Sequence, residues 1–174
     1  MDQLASQFDE FVRARTPALL RSAYLLTGDQ HLAEDLVQTA LARTHRAWRS
    51  LHREGNAEAY TRKIMYNQQV SIWRRRKAAE SLPGDLPEVQ DPTDDHAQRT
   101  ANRLAVKAAL MRLTAKQRAV IVLRFFEDRP EAEIAELLGI SIGTVKSQIF
   151  NALARLRAVA PELADNYEQS GVTR

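Results

Sequence analysis

The chain has 174 residues, 44% of them hydrophobic and 27% charged, with a formal net charge of +3. That composition suits a globular protein of one medium domain or two small ones, and so weak a net charge does not by itself name a nucleic-acid partner. The absence of cysteine excludes a disulfide scaffold or a thiolate metal site, and no apolar run approaches the roughly 20 residues of a membrane span.

The opening residues, "MDQLASQFDEF", carry acids and no apolar signal core, so a cytoplasmic protein is expected. Ala, Leu, Arg and Glu dominate, and strand-like alternation is almost absent, which predicts an all-α fold. A first helix is expected within residues 3–26, with Pro17 as a site for a kink or break. Gly28 suits a C-terminal stop and Asp29 the N-cap of a second helix running to about residue 50. At 100° per residue, Val37, Ala40, Leu41, Thr44 and Trp48 share one side of that helix. Asp35, Gln38, Ala42 and His45 fall on the other. The stretch "LHREGNAE" then reads as a polar break.

A third helix is expected over residues 57–77. Ile64, Met65 and Ile72 form a modest inner face, while Arg62, Tyr66, Gln69 and Trp73 form a second stripe that alternates cation, ring, amide and ring. Arg74, Arg75, Arg76 and Lys77 close the helix. Bases stack on aromatic faces while cations track phosphates, so the stripe suits unpaired bases. Two rings packed on a neighbouring helix, with arginines at a C-terminal dipole, give the same pattern.

Residues 80–99 hold Pro83, Gly84, Pro87 and Pro92 among acids, and predict a linker between two helical domains rather than a long loop within one. The second domain is expected over 100–160, with a polar tail over 161–174. Leu104, Ala108 and Met111 fit a helical stripe, "TAKQ" at 114–117 has the capping-box pattern, and Pro130 marks a helix start. In "EAEIAELLGISIGTVKSQIFNALARLR", Ile134, Leu137 and Leu138 make an inward stripe, Gly139 a left-handed corner and Ser141 an N-cap. On the helix that follows, Val145, Ile149, Ala152, Leu153 and Leu156 share one face. Thr144, Lys146, Ser147, Phe150 and Asn151 point away or flank it.

A helix-turn-helix places its second helix in the DNA major groove, with cations and hydroxyls for phosphate and amides for base edges. A helical hairpin that binds nothing would share the pattern. The four histidines show no metal-ligand spacing, and the chain has no P-loop, nucleophile elbow or Gly-rich dinucleotide turn. Neither enzymatic activity nor a cofactor is expected.

Four stretches in order, "AEDLVQTALARTHRAW", "NAEAYTRKIMYNQQVSIWRRRK", "LTAKQRAVIVLRFFED" and "EIAELLGISIGTVKS", resemble bacterial RNA polymerase sigma factors of the extracytoplasmic-function class. The resemblance implies a region 2-like domain over 1–79 that binds the polymerase clamp and melts the −10 element. It implies a region 4-like domain over 100–160 that reads the −35 element and rests on the flap. The linker would thread toward the RNA exit channel, with Asp85, Glu88, Asp91, Asp94 and Asp95 mimicking nucleic-acid charge. An anti-sigma factor is a further partner that the class suggests, and a membrane is not.

Carried over by motif, the clamp contact falls on Asp35 and Gln38, with Thr39 and Ala42 beside them. Thr39 stands where relatives often have an acid. The −10 surface falls on Asn56, Arg62, Lys63, Tyr66 and Asn67, and continues through Gln69, Trp73, Arg74, Arg75 and Arg76. The loop "HREGNAE" corresponds to the family's base-capturing loop, and Ser71 stands where an Asp is common. The −35 surface falls on Ser141, Thr144, Lys146 and Ser147, then Gln148, Phe150, Asn151 and Arg155. Gln148 and Asn151 replace arginines of many relatives, which weakens phosphate attraction or shifts readout toward adenine. A helix-turn-helix regulator that does not join polymerase is the competing expectation; it leaves the first domain unexplained.

Overall fold

A computed structural model describes residues 3–79 and 97–161. The expected acidic linker and the polar tail therefore lie outside the described residues, apart from residues 97–99, which open a helix, and Pro161. Among the described residues the fold is all-α. Three helices make the N-terminal half: α1 (Gln3–Thr27), α2 (Gln30–Glu54) and α3 (Ala57–Ala79). Four make the C-terminal half: α4 (Ala97–Met111), α5 (Ala115–Ile121), α6 (Glu131–Leu138) and α7 (Ile142–Val159), with a π-helical turn over Val122–Phe126.

The helix ends follow local chemistry. Gly28 adopts φ +70°, its N–H donates to the Tyr24 carbonyl, and Asp29 accepts from the Leu32 N–H as the N-cap of α2. Thr114 and Gln117 make the reciprocal capping box of α5. Gly139 takes the left-handed corner at φ 65° between α6 and α7, and Ser141 caps α7 by accepting from the Thr144 N–H.

Three details differ from the sequence expectation. Helix α1 continues through Pro17 without a break. Helix α2 runs four residues beyond 50, because Leu51 is buried beside Trp48 and holds the extra turn to the core. The broad polar break thus shrinks to Gly55, left-handed at φ 70°, and Asn56. In α4 the expected stripe is turned: Ala108 is exposed, while Ala109 and Leu110 are buried.

Among the described residues, two apolar clusters hold the fold. The smaller one packs Trp48, Leu51 and Ala57 with Leu4, Phe8 and Phe11 at one end of α1–α3. The Trp48 indole N–H donates to the Leu4 carbonyl at 3.1 Å, which satisfies the ring's one polar atom. The larger cluster is continuous across both halves: Leu19, Leu26, Val37, Met65 and Tyr66 belong to it together with Val120, Leu123, Ile134 and Val145. Between α2 and α3, the Thr44 and Thr61 hydroxyls lie 2.8 Å apart, so one donates to the other, and the acceptor of the pair gives its own proton to a carbonyl of its helix. That arrangement keeps two fully buried polar groups partnered.

Candidate nucleic-acid interfaces

Helix α7 presents its polar face to solvent. Val145 and Ala152 are buried, and Ile149, Leu153 and Leu156 pack against the core, which turns Lys146, Ser147, Phe150 and Asn151 outward. Phe150 is 72% exposed, so it does not pack on a neighbouring helix. Ser141 and Thr144 share a 2.8 Å hydroxyl contact at the N-terminus of α7, and Gln148 is half-buried. Lys146 lies 3.8 Å from Glu131, an exposed pair that would yield readily to a phosphate. Arg155 donates to the Arg112 carbonyl at 2.6 Å and so ties α7 to the end of α4.

Helix α3 is divided. Asn56, Lys63, Asn67, Arg74, Arg75 and Arg76 are exposed, and Gln69 and Trp73 are half-buried. Arg62 and Tyr66, the first cation and ring of the stripe, are 7% and 0% exposed. In this arrangement neither reaches solvent, because the C-terminal half covers them. The Tyr66 hydroxyl donates to Glu127 Oε1 at 2.6 Å, and Arg62 Nη1 lies 2.6 Å from the same oxygen. Burial, and then the adjacent Glu127 carboxylate, push the Tyr66 pKa well above its ordinary value, so the phenol stays protonated. Asn67 donates to the Leu137 carbonyl at 3.1 Å, again across the two halves.

The exposed side of α3 forms a groove of about 480 Å³ with α2, lined by Arg43, Tyr60, Lys63, Asn67, Ser71 and Arg75 among others. Three cations around a ring are a setting for a phosphate chain beside a stacked base. Arg43 and Tyr60 were absent from the sequence expectation. Arg43 sits on α2, and pairing it with α3 requires the register of two helices, which no single helical wheel supplies.

On α2, Asp35, Gln38 and Ala42 are exposed and Thr39 half-buried, on the side opposite the core. Asp35 and Thr39 also border a cleft of about 380 Å³ whose other walls include Trp73, Arg76, Met111 and Arg118.

Two family models match in the order of these surfaces: Sigma-70 region 2 over residues 11–79, and Sigma-70, region 4 over residues 103–156. The chain is 46% identical to the RNA polymerase sigma-E factor of Streptomyces coelicolor over 151 residues, covering 87% of this chain and 84% of that protein. It is 35% identical to the ECF RNA polymerase sigma factor SigE of Mycolicibacterium smegmatis over 90% of this chain and 63% of that protein. The chain belongs to the sigma-70 family, in its extracytoplasmic-function class.

Among solved structures, the sigma factor RpoE of Bartonella quintana, in complex with the anti-sigma factor NepR, matches with a TM-score of 0.65 at 26% identity. The match covers 87% of this chain and 95% of that one. CnrH, in complex with the cytosolic domain of CnrY, shares the fold with a TM-score of 0.64 at 23% identity, over 91% of this chain and 96% of that one.

At the contact between the sigma factor's two matched regions, sequence reasoning passed over Arg118 and Glu127. Arg118, 5% exposed, donates to the carbonyls of Leu26, Leu110 and Leu113 at 2.6, 2.9 and 3.1 Å. It thereby caps the C-terminal ends of α1 and α4 at once, where a cation is favoured by both helix dipoles. Burial lowers its pKa to about 10, which still leaves it charged at neutral pH. Met111 lies against Gly28, where even a Cβ would come within 2.7 Å of its sulfur. Within "RFFED", Glu127 looks like any surface acid, yet its side chain is 7% exposed.

Proposed function

We infer that this sigma factor joins RNA polymerase core through the outward face of α2, reads the −35 element with α7 and holds unpaired −10 bases with α3. The observation that carries the reading is the solvent-facing row Lys146, Ser147, Phe150 and Asn151 on the second helix of a helix-turn-helix. A row of cation, hydroxyl, ring and amide suits phosphate and base-edge contacts together. The halves 1–79 and 100–160 then divide the two promoter elements between them. Asn56, Lys63, Asn67, Gln69, Trp73 and the arginines 74–76 serve the −10 strand, with Arg43 and Tyr60 added from the groove, while Arg62 and Tyr66 are covered by the C-terminal half in this arrangement. The chain supplies recognition and strand separation, while the polymerase performs the phosphoryl transfer. The cytoplasm is its proposed place of action. The anti-sigma factor NepR in the matched RpoE complex supports an anti-sigma partner here as well.

The deciding experiment is run-off transcription with polymerase core on a genomic promoter library. Promoter-specific transcripts that depend on the chain are expected. A chain that binds promoter DNA but neither joins core nor changes its transcripts would instead be a free-standing regulator. Asp35→Ala with Gln38→Ala should weaken core binding in a titration while leaving the melting temperature unchanged, since both side chains are exposed. Unchanged affinity would remove α2 from the polymerase contact.

A further inference from the structure

The groove between α2 and α3 is electrostatically one-sided. Arg43, Lys63 and Arg75 line it, and among the described residues no carboxylate does. Arginines nearby are paired: Arg15 with Glu58, Arg62 with Glu58 and Glu127, and Arg129 with Glu127 and Glu133. Arg43, Lys63 and Arg75 have no ion-pair partner among the described residues. Like charges gathered in a concave site raise its potential, and an anion entering it relieves their repulsion.

The lining also says what kind of anion fits. Lys63, Ser71 and Arg75 stand at multiples of four residues on α3, so they share one side of it. From Lys63 to Arg75 the helix rises about 18 Å, which a chain of phosphates can follow and a single phosphate cannot. Tyr60, one turn before Lys63, has an exposed ring on which a base can stack. A carboxylate at 71, common there in similar sequences, would repel phosphate; Ser71 instead supplies a neutral hydroxyl donor.

Gln68 adds a second kind of demand. It is half-buried in the groove wall, and its Oε1 is buried without a hydrogen-bond donor. An ionised phosphate chain has no proton to offer that oxygen, whereas the amine or hydroxyl of a nucleoside does. The groove, at about 480 Å³, is within the size range of small-molecule sites.

We propose that this groove binds a free nucleoside triphosphate, with its base on Tyr60, its phosphate chain along Lys63, Ser71 and Arg75, and Arg43 meeting the chain from α2. Binding itself does not rest on the assignment of α3 to the −10 strand. One consequence does: Arg43, Tyr60, Lys63 and Arg75 are assigned to that strand as well, so nucleotide and strand exclude each other.

The test is a calorimetric titration of the full chain with ATP, in EDTA because the groove offers no carboxylate to a metal. Saturable binding with a Kd below about 1 mM is expected. Adenosine and inorganic tripolyphosphate should each bind at least about tenfold more weakly, since each lacks one half of the contacts. Ser71→Asp, at an exposed position, should weaken ATP about tenfold with no change in melting temperature, and Lys63→Ala by a similar factor. Absence of saturation, or saturation that neither variant alters, overturns the site. Equal affinity for tripolyphosphate overturns the role of the base, and equal affinity for adenosine that of the phosphate chain. Displacement of a labelled random-sequence DNA single strand by ATP reads the exclusion. Strand binding that ATP leaves unchanged, beside ATP binding that both variants weaken, keeps the nucleotide site and removes the groove from the −10 strand.

Discussion

Helices α3 and α7 read alike in sequence: each sets a cation, amides and a ring on a face away from its apolar stripe. In the folded chain they part. Phe150 on α7 is 72% exposed, and Tyr66 on α3 is completely buried. Both rings lie off the local apolar stripe, so helical periodicity describes them equally. What separates them is a second layer. Helix α7 has its core beneath it and, among the described residues, nothing on its outer face, whereas α3 has α1 and α2 on one side and the C-terminal half on another. A helical wheel identifies faces; it does not say how many of them are covered.

The sharpest break in this comparison is in stability. Tyr66→Ala empties a fully buried site and removes one of the donors to Glu127, so a loss of about 3–5 kcal/mol is expected in chemical denaturation. Phe150→Ala should stay within about 0.5 kcal/mol of the parent, as exposed positions do. Equal losses in the two variants would mean that the rings are not in different environments.

A smaller effect separates melting from holding on α3. Trp73 is half-buried and remains at the edge of the interface. If it stacks on an unpaired −10 base, Trp73→Ala should lower open-complex formation on the order of tenfold, given about 1–3 kcal/mol per stacked base. Permanganate reactivity of the −10 thymines reads this directly. Rescue on a template with mismatched −10 bases would assign Trp73 to strand opening, and a persistent defect to strand holding. Full reactivity on native duplex would remove the ring from either role.

The smallest effects belong to α7, where exposure permits clean substitution. Lys146→Ala should weaken promoter binding about uniformly across sequences and reduce the salt slope by roughly one. Asn151→Ala should instead alter the selected promoter sequence, because an amide reads base edges. Identical selection profiles for the two variants would show that α7 holds DNA without reading it.

Much of the local structure was legible in the residues. The caps at Asp29, Thr114, Gly139 and Ser141 follow from donor and acceptor groups within four positions of each helix end. The outward faces of α2 and α7 follow from apolar spacing alone. The longer α2 was less legible, because Leu51 within "SLHREGN" gains its value from Trp48 and from α1 packing over both. Arg43 and Tyr60 were missed for a related reason: their groove exists only where two helices meet.

Sequence alone determined the helical class, the order of the two halves and the helix-turn-helix, because each depends on chemistry repeated over a few neighbouring residues. Tertiary structure decided which polar groups are free to act. Glu127 meets Ser22 across 105 positions and Tyr66 across 61, and Arg118 meets the Leu26 carbonyl across 92. No local pattern marks such partners. A carboxylate or guanidinium has the same propensity whether solvated or buried, and its role follows from the donors and acceptors that folding brings to it.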